Sequence, residues 1–251
     1  MSKVQNTIAI ITGASNPRDI GTAIYRKLAA DGVHIFFTHW QADQNWIEKF
    51  KDEISSEGVS CEDLAIDLSN PLAAQTILHA VVEKLGAPSI LVNNAAHSTQ
   101  DGYLLLDAQI LDQHYAVNMR STFLLSVEFA RLFQNAHLES GRIINMTSGQ
   151  DLGPMIGELA YVATKGAISS FTRTLAQELA PIGITVNAVN PGPTDSTWMN
   201  DEIRTYLLPK FPMGRIGSPE DVAKVISFLA SEEAKWLTGQ IIHSEGGFFR
   251  G

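Results

Sequence analysis

The stretch Ile10-Ile11-Thr12-Gly13-Ala14-Ser15-Asn16-Pro17-Arg18-Asp19-Ile20-Gly21 decides the fold. It leads out of a short β-branched run, Thr7–Ile11, into a helical pattern that begins at residue 20. Gly13 allows a tight turn, and Gly21 lets the helix start lie close to the sheet or to a ligand. Open backbone N–H groups and the dipole at a helix N-terminus favour an anion such as a pyrophosphate. Alone the pattern is weak, because an ordinary strand-to-helix loop can carry two glycines. Asp19 is expected to cap the helix and to point away from a bound anion, with Arg18 offsetting its charge.

Outward from this loop, β-branched runs alternate with longer amphipathic stretches. Thr7–Ile11, Val33–Thr38, Leu64–Asp67, Ile90–Val92, Arg142–Thr147, Thr185–Asn190 and Gln240–His243 read as strands, several of them apolar almost throughout. Helical patterns cover about 20–31, 43–57, 71–85, 107–135, 157–180 and 219–231. The alternation predicts βαβ units and a parallel sheet, and right-handed crossovers put helices on both faces. No linker, composition break or repeat interrupts it, so the chain reads as one α/β domain.

The 251 residues suffice to bury roughly 70 % of the unfolded chain's surface. A hydrophobic fraction of 45 % and a charged fraction of 18 % exclude a disordered or fibrous chain. Acidic residues number 27 against 18 basic, a net charge of −9, which speaks against nucleic-acid or membrane-surface partners. The single Cys61 excludes an internal disulfide framework and a Cys-cluster metal site, and the histidines show no ligand spacing. His97, after the Asn-Asn-Ala turn, is the one histidine that could border a cleft. No apolar stretch is long enough to span a membrane, and Thr7–Ile11 is too short for a signal peptide. A soluble cytoplasmic protein without metal is expected.

In open α/β sheets ligands bind beyond the carboxyl ends of the strands. Polar and turn residues cluster there: Thr12-Gly13-Ala14-Ser15, Asp67, Asn93-Asn94, Ser148 and Asn190-Pro191-Gly192. The second strand ends in Phe37-Thr38-His39-Trp40, without the acid that an NAD site uses for the ribose 2′-hydroxyl. That absence removes repulsion against a 2′-phosphate, for which Arg18, His39 and the Trp40 indole are candidate partners. NADP(H) is therefore preferred, with NAD(H) second.

Tyr161-Val162-Ala163-Thr164-Lys165 lies in a helical stretch, so the phenol and the ammonium share one helix face. A phenol of pKa about 10 is a poor acid–base catalyst at neutral pH, and a fixed cation nearby brings it closer to the working range. Ser148, at the end of the fifth strand, can hydrogen-bond a substrate oxygen. A lone Tyr-x-x-x-Lys means little; the combination with Ser148 is the signal.

Taken in order, these pieces resemble the short-chain dehydrogenase/reductase family across the whole length. They are Thr12-Gly13 with Gly21, Asp67-Leu68, Asn93-Asn94-Ala95, Asn118, Ser148, Tyr161 with Lys165, Asn190-Pro191-Gly192, Pro212-Met213-Gly214-Arg215 through Asp221, Leu237-Thr238-Gly239-Gln240, and Gly246-Gly247. The chain is most similar to the 3-oxoacyl-[acyl-carrier-protein] reductase-like branch. The resemblance implies a Rossmann-type three-layer domain over 1–251, with a seven-stranded parallel sheet in the order 3-2-1-4-5-6-7. The dinucleotide-binding half would be about 1–140 and the catalytic and lid half about 141–251.

It further implies hydride transfer between nicotinamide and a carbonyl or alcohol carbon. Tyr161 would be the proton donor or acceptor. Lys165 would lower its pKa and hold the nicotinamide ribose. Ser148 would polarise the carbonyl, and Asn118 would hold a proton-relaying water. Gly13, Ser15, Asn16, Arg18, Ile20 and Gly21 would surround the phosphates. Asp67 and Leu68 would meet adenine, and Asn94 and Ala95 the adenosine ribose. Pro191, Gly192, Thr194 and Ser196 would meet the nicotinamide. The chain departs from the family in a longer glycine loop with Asp19 near the usual middle glycine, in Ala96 for a usual glycine, and in Trp40 for a common basic residue.

Gly149–Gly157 and Thr194–Gly214 should wall the substrate, the second as a mobile lid. Leu152, Met155, Ile156, Trp198, Met199, Tyr206, Leu207, Leu208 and Phe211 suit an aliphatic or ring portion, although part of them is expected to pack on the body. The helices at 107–135 and 157–180 carry surplus apolar residues, and with the family's contacts a homotetramer is expected, a dimer next. The leading expectation is an NADP(H)-dependent 3-oxoacyl-reductase-like carbonyl reductase. The rivals are an NAD(P)-dependent alcohol or sugar dehydrogenase and a non-catalytic dinucleotide sensor.

Overall fold

Consecutive residues of strand β1 (Ile8–Thr12) face opposite ways: Ala9 and Ile11 enter one hydrophobic layer, Ile8 and Ile10 the other. A strand covered on both faces has no polar side, which is why these runs are apolar without alternation. β4 (Ile90–Asn93), β5 (Gly141–Met146) and β6 (Ile184–Asn190) are likewise buried throughout. The computed structural model describes residues 7–250. With β2 (His34–His39), β3 (Cys61–Ala65) and β7 (Ile241–His243), the strands form one sheet in the order β3-β2-β1-β4-β5-β6-β7, every pairing parallel. This is the expected Rossmann-type arrangement.

Helices α1 (Ile20–Ala30), α2 (Gln44–Ser55) and α9 (Pro219–Ala230) cover one face through Ile24, Ile47, Phe50, Val222 and Ile226. Helices α3 (Ala73–Lys84), α6 (Ser121–Asn135) and α7 (Leu159–Leu179) cover the other through Ile77, Phe129, Phe133 and Leu175. The strand order reverses between β1 and β4, so the crevice for a ligand opens beyond their carboxyl ends. Among the described residues no helix is long and apolar enough to cross a membrane.

Several elements differ from the sequence expectation. The third strand begins three residues earlier and ends before Asp67, which lies in a turn where its carboxylate accepts the Ser69 amide at 2.8 Å. Glu62 and Asp63 hid this edge strand; Lys51 pairs with both of them. The helix expected over 107–135 is α5 (Ala108–His114), one π-helical turn at Tyr115–Arg120, and α6. Two short helices, α4 (Gly102–Leu105) and α8 (Asp201–Leu207), were not expected.

Candidate active site

At the first βα loop Gly13 has φ +80°, and a Cβ there would lie 2.7 Å from Ala95 Cα, so both conformation and space require glycine. Asn94 fastens this loop to β4: its Nδ2 donates to the carbonyls of Thr12 at 2.9 Å and Gly13 at 2.7 Å. Thr12 Oγ1 accepts the amides of Asn94 and Ala95, both at 3.1 Å. Gly21 packs on the loop so closely that a Cβ would sit 2.2 Å from the Gly13 carbonyl oxygen. Ala23 is the first residue of α1 whose amide reaches a backbone carbonyl, that of Asp19, which leaves the earlier amides to an anion. The free amides at the start of α1 fit a pyrophosphate, while the Ser15 amide is taken by the Asp19 carboxylate.

Asp19 corrects the sequence reading. Its carboxylate makes no cap bond to α1. It turns into the loop, where it accepts the Ser15 amide at 3.1 Å and the Thr197 hydroxyl of the lid at 2.9 Å. Two donors on either side of the helix start outweigh the local capping geometry. Arg18 does not pair with it; that guanidinium is exposed and lowers the pKa of Asp195 instead, behind the larger effect of Arg204. Asn16 accepts the Arg18 amide on its side chain at 3.1 Å and the Thr22 hydroxyl on its carbonyl at 2.8 Å.

His39 is a second correction. It is 5 % exposed and turns inward, with Nε2 3.2 Å from an Asp63 carboxylate oxygen. Its Nδ1 is left buried without a hydrogen-bond partner, and Arg18 and Trp40 are the exposed candidates for the adenosine end. Trp40 is 53 % exposed, and its carbonyl accepts the Ser15 hydroxyl at 3.4 Å. Leu68 is buried beside Asp67.

α7 owes its start to a residue that the sequence reading missed. Asp101, almost fully buried, accepts the amides of Leu159 and Ala160, both at 2.8 Å, and that of Gly102. Burial opposes its charge, but the three amides outweigh it and hold the carboxyl below its ordinary range. No local signal could reveal this cap, because its donors come from a helix far along the chain.

Two residues into that helix stands Tyr161, and one turn later Lys165. Lys165 is buried; its Nζ donates to the Met146 carbonyl at 2.7 Å and lies 5.4 Å from the centroid of the Tyr161 ring. Burial brings the ammonium down to about 8. Burial, helped by Glu158, pushes the phenol up to about 12, while a hydrogen bond with Ser148 works the other way. The expected depression of the phenol by the ammonium is thus not what this geometry delivers. Ser148 follows β5 after one residue, Thr147, and its hydroxyl also lies 3.7 Å from Met155 Sδ.

Asn118 sits fully buried in the π-helical turn, an element frequent at functional sites. Its Oδ1 accepts the His97 amide at 2.6 Å, and its Nδ2 donates to the His97 carbonyl at 2.8 Å and to Thr164 Oγ1 at 3.1 Å. Asn118 thereby ties the π turn to α7 and to the His97 backbone.

Beyond β6, Gly192 donates its amide to Asn190 Oδ1 at 2.9 Å, and Thr194 Oγ1 donates to the Pro191 carbonyl at 3.2 Å. Thr194 and Ser196 are buried, and Thr194 bridges to Gly217. Within 194–214, Met199, Leu207 and Phe211 pack into a small core of their own, whereas Trp198, Tyr206 and Leu208, and Leu152 and Ile156 of the 149–157 segment, are exposed. A cavity of about 750 Å³ opens at the opposite ends of the strands, between Arg142, Lys224 and Phe228, away from the tyrosine and lysine.

Comparison with known proteins identifies the family. The family model described as enoyl-(acyl carrier protein) reductase matches residues 13–249. An uncharacterised oxidoreductase of Bacillus subtilis, YjdA, is 70 % identical over the full length of both chains. The 3-oxoacyl-[acyl-carrier-protein] reductase FabG of Vibrio cholerae is 34 % identical, covering 98 % of each chain. A solved short-chain dehydrogenase/reductase of Serratia marcescens superposes with a TM-score of 0.88 at 32 % identity, covering 98 % of each chain. With the strand order, the tyrosine–lysine helix and these likenesses together, the chain belongs to the short-chain dehydrogenase/reductase family of oxidoreductases.

Proposed function

We propose that the chain is an NADP(H)-preferring carbonyl reductase of the 3-oxoacyl-reductase type. The observation that carries this reading is the meeting of Ser148, Tyr161 and Lys165 beyond β5, with the Lys165 ammonium 5.4 Å from the phenol ring centroid. A nicotinamide cofactor, when bound, supplies the hydride for the carbonyl carbon or takes it in the reverse direction. Ser148 hydrogen-bonds the carbonyl oxygen and orients it. Tyr161 gives that oxygen its phenolic proton and takes it back in oxidation. Lys165 sets its positive charge against the developing phenolate and reaches toward the ribose hydroxyls. Asn118 holds the water through which protons pass onward.

Gly13, Ser15, Asn16, Ile20 and Gly21 hold the phosphates, and Arg18 with Trp40 holds the adenosine 2′ end. Asp67 and Leu68 meet adenine, and Asn94 and Ala95 the ribose next to it. Pro191, Gly192, Thr194 and Ser196 hold the nicotinamide. The half of the chain at about 1–140 binds the cofactor, and the half at about 141–251 supplies catalysis and the lid. A homotetramer in the cytoplasm completes the proposal.

The test follows NADPH absorbance with a panel of ketones, 3-oxoacyl esters and quinones. Tyr161→Phe is expected to lose at least ~100-fold in rate while NADPH binding, read by fluorescence, stays near parental. A Phe variant that keeps most of the rate removes Tyr161 from the role. NADPH is expected to bind more tightly than NADH, since no acid stands at 38–40; equal or reversed dissociation constants overturn the preference. Binding without turnover on the whole panel would mark a dinucleotide sensor.

A further inference from the structure

The segment after β7 doubles back over the site. The Ser244 amide donates to the Asn190 carbonyl at 2.8 Å, prolonging the β6–β7 pairing. Gly246 and Gly247, both at positive φ, turn the chain. Phe248 then packs on Phe211 of the lid, ring centroids 5.0 Å apart, and the Phe249 amide donates to the Lys210 carbonyl at 2.9 Å. Arg250 comes to rest on the loop that follows Ser148. A Cβ on Gly149 would lie 2.5 Å from its Nη2, and a Cβ on Gly153 would lie 3.1 Å from its Cδ.

The guanidinium is pinned there. Nη1 donates to Glu245 Oε1 at 2.6 Å and Nη2 donates to Oε2. Glu245 Oε2 also accepts Asn190 Nδ2 at 2.9 Å, and the Glu245 side chain lies against Gly192. The carboxylate is 10 % exposed, so loss of its partner would leave a charge largely cut off from water. A planar fork on a carboxylate fixes orientation as well as distance.

We propose that Glu245 and Arg250 are positioning residues that lock the lid, the loop carrying Ser148 and the Asn190–Gly192 turn into one register. The proposal rests on the reading of Ser148 as the group that orients the carbonyl. It also accounts for Gly149, since a side chain there would push the guanidinium off Glu245.

The test compares Arg250→Ala, Arg250→Lys, Gly149→Ala and the double variant Gly149→Ala/Arg250→Ala. NADPH oxidation with the best ketone reads kcat and KM. Amide hydrogen exchange at residues 149–153 and 190–192 of the protein alone reads the two loops independently of turnover. Arg250→Ala is expected to lower kcat roughly tenfold to hundredfold and to speed exchange at both segments. Arg250→Lys recovers only part, because an ammonium cannot fork. Gly149→Ala is harmful in the parent and neutral in the Arg250→Ala background. Parental kcat or unchanged exchange in Arg250→Ala overturns the proposal, as does additivity of the two substitutions. If the parent reduces nothing on the panel, the functional reading falls and exchange alone decides: faster at both segments supports the coupling, unchanged overturns it.

Discussion

Burial raises the phenol of Tyr161 to about 12 and brings the ammonium of Lys165 down to about 8. Each shift disfavours the charged form, as desolvation does for acids and bases alike. At neutral pH the pair therefore stands as a protonated phenol beside an ammonium, the state that ketone reduction needs. As the phenol gives up its proton, the phenolate left behind is stabilised by Lys165 only while Lys165 keeps its own. The sign follows: kcat/KM for reduction should hold below pH 8 and fall as pH rises through about 8, well before the phenol itself titrates. A pH profile of ketone reduction reads this, and a rate that stays flat up to about pH 10 would show that the charge of Lys165 is not required. The tyrosine and lysine were legible in the sequence because a four-residue spacing fixes a shared helix face. Asp101 and Arg250 were not, because each acts on a segment distant in sequence. The turn of Asp19 into the loop was equally hidden, since the Thr197 hydroxyl that donates to it lies far along the chain.

Among the helices, α9 shows how a start signal becomes stability. Ser218-Pro219-Glu220-Asp221 opens it, and the Asp221 carboxylate reaches back to accept the Ser218 amide at 2.9 Å. Arg215 bonds the same carboxylate and is the main cause that lowers it to about 2. Arg215 is 57 % exposed, so solvent screens that ion pair. Asp221→Asn should cost about 1 kcal/mol at pH 7, read by urea unfolding. Because the folded pKa lies below the unfolded value of about 3.9, that stability is full above pH 4 and disappears as pH falls toward about 2. A penalty that does not shrink over that window would refute the cap. Long elements such as α9 and the buried strands were readable from periodicity. α4, with four residues, and α8, with seven, are too short to show a period, and they form through side-chain caps by Asp101 and Asn200. The π turn lies inside the fourth helical stretch, where the sequence reading expected one continuous helix.

The two layers that enclose the sheet each leave apolar surface uncovered. On the side of α6 and α7, Leu111, Tyr115, Leu124 and Leu159 are exposed, with Leu124 at 41 %. On the side of α9, Phe228 is exposed and Trp236, shortly before β7, is 95 % exposed. A tryptophan standing free in water is uncommon, and clustered apolar exposure marks contact surface. The proposed homotetramer would use both surfaces, one for each of two perpendicular two-fold contacts. Light scattering of the purified protein should therefore give the mass of four chains. Trp236→Asp should remove one contact and leave dimers that retain the α6–α7 contact, while Leu124→Glu should weaken the other. A parent that runs as a single chain, or a Trp236→Asp variant that remains a tetramer, would reject this assembly.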